Sequence, residues 1–150
     1  MLDLSLAIAH HLLVFSLAAI LAAELAMVRP GLSGPGLKRL GIIDLHYGVI
    51  AGAIVVVGFL RVFYGVKGPG AYLPNPFFWA KMATFALVGL LSIPPTLRIL
   101  AWRKQAKTEP AFSLDEAQVR GVRRLLIAEV ALFALIPVFA ATMARGYGLR

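Results

Sequence analysis

The sequence predicts an all-α integral membrane protein, a single domain (1–150) of four transmembrane helices in a bundle. Three observations carry that expectation. First, 60% of the 150 residues are hydrophobic and the mean hydropathy is +0.84, more apolar surface than a soluble domain of this length can bury. Second, the apolar residues gather into four runs, about 4–28, 40–64, 77–102 and 121–144, each long enough to cross a hydrocarbon core of about 30 Å. Third, the Lys and Arg residues stand at the ends of those runs, which is the topology signal of a membrane protein. The net charge of +8 is therefore not read as a nucleic-acid footprint, and no nucleic-acid partner is expected. Membrane lipid is the expected surrounding. The chain has no cysteine, which excludes disulfides, thiolate-held iron–sulfur clusters and thioether-attached haem.

The first run, LSLAIAHHLLVFSLAAILAAELAMV, differs from a secretory signal. It lacks a basic n-region, since Asp3 is the only early charge, it holds Glu24 near its end, and it is long for an h-region. Arg29-Pro30 closes it, and GLSGPGLKR makes a Gly/Pro turn. In the second run, Gly48 and Gly52 form a small-xxx-small pair, expected to let helices approach closely inside the bundle. The loop GVKGPGAYLPNP follows, with Tyr72 and Trp79 placed for an interfacial belt. The third run, FFWAKMATFALVGLLSIPPTLRILAW, carries Lys81 about one turn inside its start and Pro94-Pro95 in its second half, where an interruption is expected. QAKTEPAFSLDEAQ is polar, and Ser113 with Glu116 three residues on reads as a capping box. The last run starts near Arg123-Arg124, and Pro137 is expected to kink it.

With four spans, the first and third loops share a side. Those loops and their helix ends hold Arg29, Lys38, Arg39, Arg98, Arg103, Lys104, Lys107, Arg120, Arg123 and Arg124. The other side holds Arg61, Lys67, Lys81, Arg145 and Arg150. This bias places the two basic loops in the cytoplasm and both termini on the periplasmic side of a bacterial inner membrane.

Counting about 1.5 Å per residue from each midpoint sorts the intramembrane polar residues into two layers. His10, Arg61 and Lys81 fall on the outer side; Glu24, Asp44 and His46 fall on the inner side, with Glu129 nearer the centre. At about 100° per residue, His10 and Glu24 share a stripe of the first helix with Leu17 and Leu21, while His11 points about 100° away. Plain alternatives stay open for each. Lys81 and Arg61 can snorkel to headgroups, His10 can bond a backbone carbonyl, and Asp44 with His46 can serve a helix start. Glu129 cannot easily snorkel, so it is either protonated or paired, with Arg123 or Arg124 or with a group from another helix. Glu24, His46 and Glu129 are thus the expected buried polar residues.

The run DLHYGVIAG…GFLRVFYGVKGPGAYLPNPFFWAKM…VGLLSIPPTLRIL resembles a family of small bacterial membrane proteins known only as a domain of unknown function. More distantly, the order of features is similar to the HemJ-type protoporphyrinogen oxidases, four-span proteins that bind b-type haem. His10, the stretch FFWAKM with Lys81, and RRLLIAE with Glu129 stand in corresponding places. Ala128 replaces that family's asparagine, and Pro94-Pro95 stands where it has further polar residues. The resemblance therefore implies tetrapyrrole binding more than the oxidase reaction, and it leaves open whether the chain is an enzyme.

A haem needs an apolar slot, an axial nitrogen and cations for its propionates. His10 is the candidate metal ligand, and Arg61 with Lys81 are candidate propionate partners. A bis-histidine site of His10 with His46 is disfavoured by a depth difference of roughly 18 Å, and two haems, one per layer, stay open. The expected function is thus haem b or other tetrapyrrole binding in a redox role. Two other readings compete with it: a non-catalytic small subunit or assembly factor, as a homo-oligomer or within a larger membrane complex, and a proton-linked carrier using Glu129 and the third helix.

Overall fold

A computed structural model describes residues 1–148; Arg150, counted above on the outer side, lies outside the described residues. The elements are α1 (Leu2–Met27), α2 (Gly34–Tyr64), α3 (Pro69–Tyr72), α4 (Pro76–Thr108) and α5 (Glu116–Ala144). Among the described residues there is no strand, only an isolated antiparallel bridge between Ser33 and Ser113. Four of the helices are long and apolar enough to cross a membrane, because the β-branched and aromatic residues of the apolar runs can satisfy their backbone in lipid only by helical hydrogen bonds.

The helices begin and end at identifiable signals. Pro stands in the first turn of α2 and of α4, where its missing N–H costs nothing. The Asn75 side chain caps α4 by accepting from Phe77 N at 2.9 Å. Gly68 takes a φ of +66°, a left-handed conformation that glycine adopts freely, and so turns the chain into the short α3. The capping box of α5 is Asp115 with Gln118, not Ser113 with Glu116: Asp115 Oδ1 accepts from Gln118 N at 2.7 Å and Gln118 Oε1 accepts from Asp115 N at 3.1 Å. Ser113 is engaged instead in the bridge to Ser33.

One expectation about prolines is also corrected: α4 runs unbroken through Pro94-Pro95. α5 likewise stays helical through Pro137. Neighbouring helices support these stretches, which membrane helices tolerate better than soluble ones; Pro95 is itself buried against the bundle.

α1 packs against α2 and α5, and α4 packs against α5 and α2. The α1–α2 and α4–α5 loops meet at one end, joined by Gly31 N to Leu114 O at 2.9 Å and Leu114 N to Leu32 O at 3.0 Å. This end, which carries most of the Lys and Arg, is called the basic end; the opposite one is the terminal end. Packing is densest at the basic end, where Val28, Leu37, Leu40, Ile99, Trp102 and Leu126 are buried together. A second cluster built on Leu17, Leu21, Tyr47 and Ile54 fills the middle. Beyond it, toward the terminal end, the helices leave space.

The Gly48–Gly52 pair does not mediate helix approach within the chain. Both glycines are exposed, and a Cβ at either would meet nothing within 4 Å. A glycine that does admit a side chain from another long helix is Gly41, where the Arg103 side chain lies over the backbone.

Candidate functional site

At the terminal end the four long helices and the α2–α4 connection surround a cavity of about 830 Å³, within the 300–1,000 Å³ typical of small-molecule sites. Its polar wall is His10 and His11 from α1, Arg61 from α2, Lys67 from the connection and Lys81 from α4. Its apolar wall comes from Val14, Val62, Phe133, Ile136 and Pro137. A smaller void of about 60 Å³ continues inward between Ile54, Phe78, Phe85 and Phe133, sharing His10 and Lys81 with the larger one. No Asp or Glu lines either void.

The structure therefore brings His10, Arg61 and Lys81 to one place. Each is half-buried. His10 faces α2 at Gly58, where a Cβ would stand 3.5 Å from the imidazole Cε1, an ordinary van der Waals contact. Nδ1 of His10 and Nε of Arg61 are both buried without a hydrogen-bond partner. So the alternative in which His10 is satisfied by a backbone carbonyl does not describe its Nδ1. Lys81 Nζ lies 5.4 Å from the centroid of the Phe78 ring, a cation–π contact that holds the ammonium within the bundle. Arg61 and Lys81 are both close enough to His10 to act on it electrostatically, and Arg61 acts on Lys81 in the same way. Asp3, an acidic residue of the same end, is occupied elsewhere, accepting from Val66 N at 3.1 Å.

Four further residues of this wall are not assigned to the site by the sequence. The His11 ring stands at 90° to His10 with centroids 6.4 Å apart, and its Nδ1 donates to Ala7 O at 2.7 Å. A cavity this broad takes two adjacent positions of one helix, although they diverge by about 100°. Lys67, Tyr72 and Asn75 come from the connection, which reads as a plain loop until α3 folds it over the bundle. The Asn-Pro pair before α4 is the one local signal for Asn75. This side chain is fully buried and its Nδ2 also donates to Tyr147 O at 3.0 Å, tying the connection to the end of the chain.

The remaining candidates separate from this cavity. Glu24 and Glu129 are buried, at 3% and 1% exposure, toward the basic end. Of the expected partners of Glu129, the arginines are engaged elsewhere: Arg123 donates to Leu25 O at 2.7 Å and Val28 O at 3.0 Å, closing the end of α1, and Arg124 is exposed, whereas Tyr47 faces Glu129 from α2. His46 is not a buried polar residue. It is exposed on α2, with Nδ1 donating to Ile42 O at 2.7 Å. The buried face of α2 runs through Asp44 and Tyr47, and two positions beyond Asp44 the helix has turned by about 200°.

Among the described residues, no group of three or more His, Cys, Asp or Glu could hold a metal ion.

Neither the curated proteins nor the solved structures include a significant match to the chain. Its residues 2–148 match the family model described as "Predicted membrane protein (DUF2214)", and the chain belongs to that family of membrane proteins of unknown function.

Proposed function

We propose that the terminal-end cavity binds an anionic, largely apolar cofactor in a redox role, and that haem b is the member of that class it fits best. The observation that carries this reading is a cavity wall holding Arg61, Lys67 and Lys81 with no carboxylate, next to an imidazole whose Nδ1 has no partner. Like charges gathered in a poorly solvated site repel, and an anion among them relieves the repulsion.

The residues present fit the group. His10 would supply the axial nitrogen; Arg61 and Lys81 would hold propionate oxygens, a guanidinium being suited to bidentate carboxylate contact. Phe133, Ile136 and Val62 would cover the ring faces and keep water away. A haem held in this way supplies one-electron redox chemistry. The resemblance of His10, FFWAKM and RRLLIAE to the HemJ-type oxidases supports the same class of ligand. The reading includes the setting inferred from the loop charges: a bacterial inner membrane, with the cavity and both termini on the periplasmic side.

The visible spectrum of the detergent-purified protein after expression with ample haem tests the proposal. A Soret band with reducible α and β bands is expected, and His10→Ala should abolish it while the protein stays helical and monodisperse. A colourless native protein, or an unchanged spectrum in His10→Ala, overturns the assignment. A second reading, a non-catalytic subunit of a homo-oligomer or larger complex, is favoured by the open space beside Gly48 and Gly52, where a helix of another chain could approach closely.

A further inference from the structure

Three carboxyl groups from three helices stand on the basic-end side of the cavity: Glu24 on α1, Asp44 on α2 and Glu129 on α5. Their surroundings differ. Asp44 Oδ1 accepts from Thr96 Oγ1 at 2.7 Å, and the Arg103 guanidinium acts on Asp44 from α4. Glu129 is less well supported: at 1% exposure it has no cation beside it among the described residues, and the donor that faces its carboxyl is the neutral Tyr47 hydroxyl. Glu24, at 3% exposure, leaves Oε1 without a hydrogen-bond partner. Glu129 and Asp44 both act electrostatically on Glu24. Tyr47 faces Glu129 from α2, and Ser92 of α4 faces Tyr47. On α5, Arg123 gives its donors to the carbonyls that end α1.

A carboxylate in the membrane interior with no cation and a single neutral donor still costs several kcal/mol, and a second carboxylate beside it adds repulsion. Three remedies exist: a partner, a metal ion or a proton. For Glu129 the first is limited to the neutral Tyr47 hydroxyl, since Arg123 is engaged at the end of α1. Among the described residues no three acidic or imidazole groups converge tightly enough for the second. The proton remains.

We propose that Glu24, Tyr47 and Glu129, with Asp44 at their margin, form a proton-holding site in the membrane interior, with Glu129 as its exchangeable carrier. Asp44 lies about one turn nearer the basic end than Tyr47, so exchange runs toward that end. In exchange the O–H bond of Glu129 breaks, and the same proton forms an O–H bond on a water reaching the site past Asp44. Toward the terminal end Leu17, Leu21 and Ile54 close the path. The site shares no residue with the cavity and stands apart from the haem reading.

Infrared difference spectroscopy of the full chain in lipid bilayers tests it. At neutral pH the native protein should show a protonated-carboxyl C=O band that shifts in heavy water. Glu129→Gln should remove one carboxyl's share of that band while leaving His10-dependent haem binding intact. Glu129→Asp, which keeps the carboxyl, should retain the band at a displaced frequency if Glu129→Gln does not fold. The proposal is overturned if the folded native protein has no such band, or if raising sodium at constant pH removes it, which marks a cation site. It is equally overturned if the band is indifferent to the change at Glu129.

Discussion

Neutralising Arg61 should separate its cost to binding from its cost to folding. Arg61 shares the cavity with Lys67 and Lys81, no carboxylate lines the wall, and its Nε has no hydrogen-bond partner. Within the chain the guanidinium therefore gains little and suffers like-charge repulsion. At an effective dielectric of about 20, two unit charges about 8 Å apart repel by about 2 kcal/mol, and water in the cavity reduces this toward about 1 kcal/mol. Arg61→Gln should thus leave the ligand-free protein as stable as the native one, or more stable by about 1 kcal/mol. Binding should respond oppositely. A charge-assisted hydrogen bond to a propionate contributes about 1.5–3 kcal/mol, so haem affinity should fall about 10- to 150-fold. Lys81→Gln should act in the same direction and to a smaller extent, because an ammonium lacks the fork that fits a carboxylate. Thermal unfolding of apo-protein in detergent gives the first quantity, and equilibrium titration followed by haem absorbance gives the second. If Arg61→Gln lowers apo-stability by more than about 1 kcal/mol and leaves haem affinity unchanged, Arg61 is a structural residue and the argument fails.

Two further expectations concern the scaffold. Arg123→Met removes the charged donor from Leu25 O and Val28 O and should destabilise the protein by about 1.5–3 kcal/mol, read as a lower denaturant midpoint; an unchanged midpoint would show that water replaces the guanidinium. Gly41→Ala should be worse than Gly48→Ala by about 1–3 kcal/mol in the same assay, because a Cβ at 41 displaces Arg103 whereas 48 has open space. Equal effects would mean that Arg103 moves aside freely.

The four helices were legible because lipid leaves the backbone no alternative: an apolar run of sufficient length must satisfy its own N–H and C=O groups. Depth counting likewise placed His10, Arg61 and Lys81 in one layer, since helical rise is nearly constant. The direction in which each helix turns was less legible. The wheel relates positions on one helix, yet it does not say which stripe faces the bundle. Thus His46 and the Gly48–Gly52 pair were expected inside, whereas packing chose the face of Asp44 and Tyr47. Contacts made by chain segments far apart in sequence were beyond reach as well. The Ser33–Ser113 bridge moves the helix cap two residues on to Asp115, and the α2–α4 connection brings Lys67 and Asn75 to the cavity. Both Ser113-x-x-Glu116 and Asp115-x-x-Gln118 satisfy the capping pattern, so only the loop pairing could choose between them.

The distance between the two polar layers bears on why each is proposed to hold an occupant of its own. The buried cations stand toward the terminal end and the buried carboxyls toward the basic end, so mutual neutralisation would be the simplest outcome. The helices prevent it. From Tyr47 to Arg61 along α2, and from His10 to Glu24 along α1, the rise is about 21 Å, more than the arginine and glutamate side chains can span together. Leu17, Leu21 and Ile54 occupy the interval and exclude the water that would otherwise screen one layer from the other. Each layer is consequently a separate electrostatic problem. The cationic one has space beside it, which admits an anion as large as a cofactor. The carboxyl one is packed closely enough that Glu129 is almost wholly enclosed, and the smallest cation, the proton, is the one that needs no cavity.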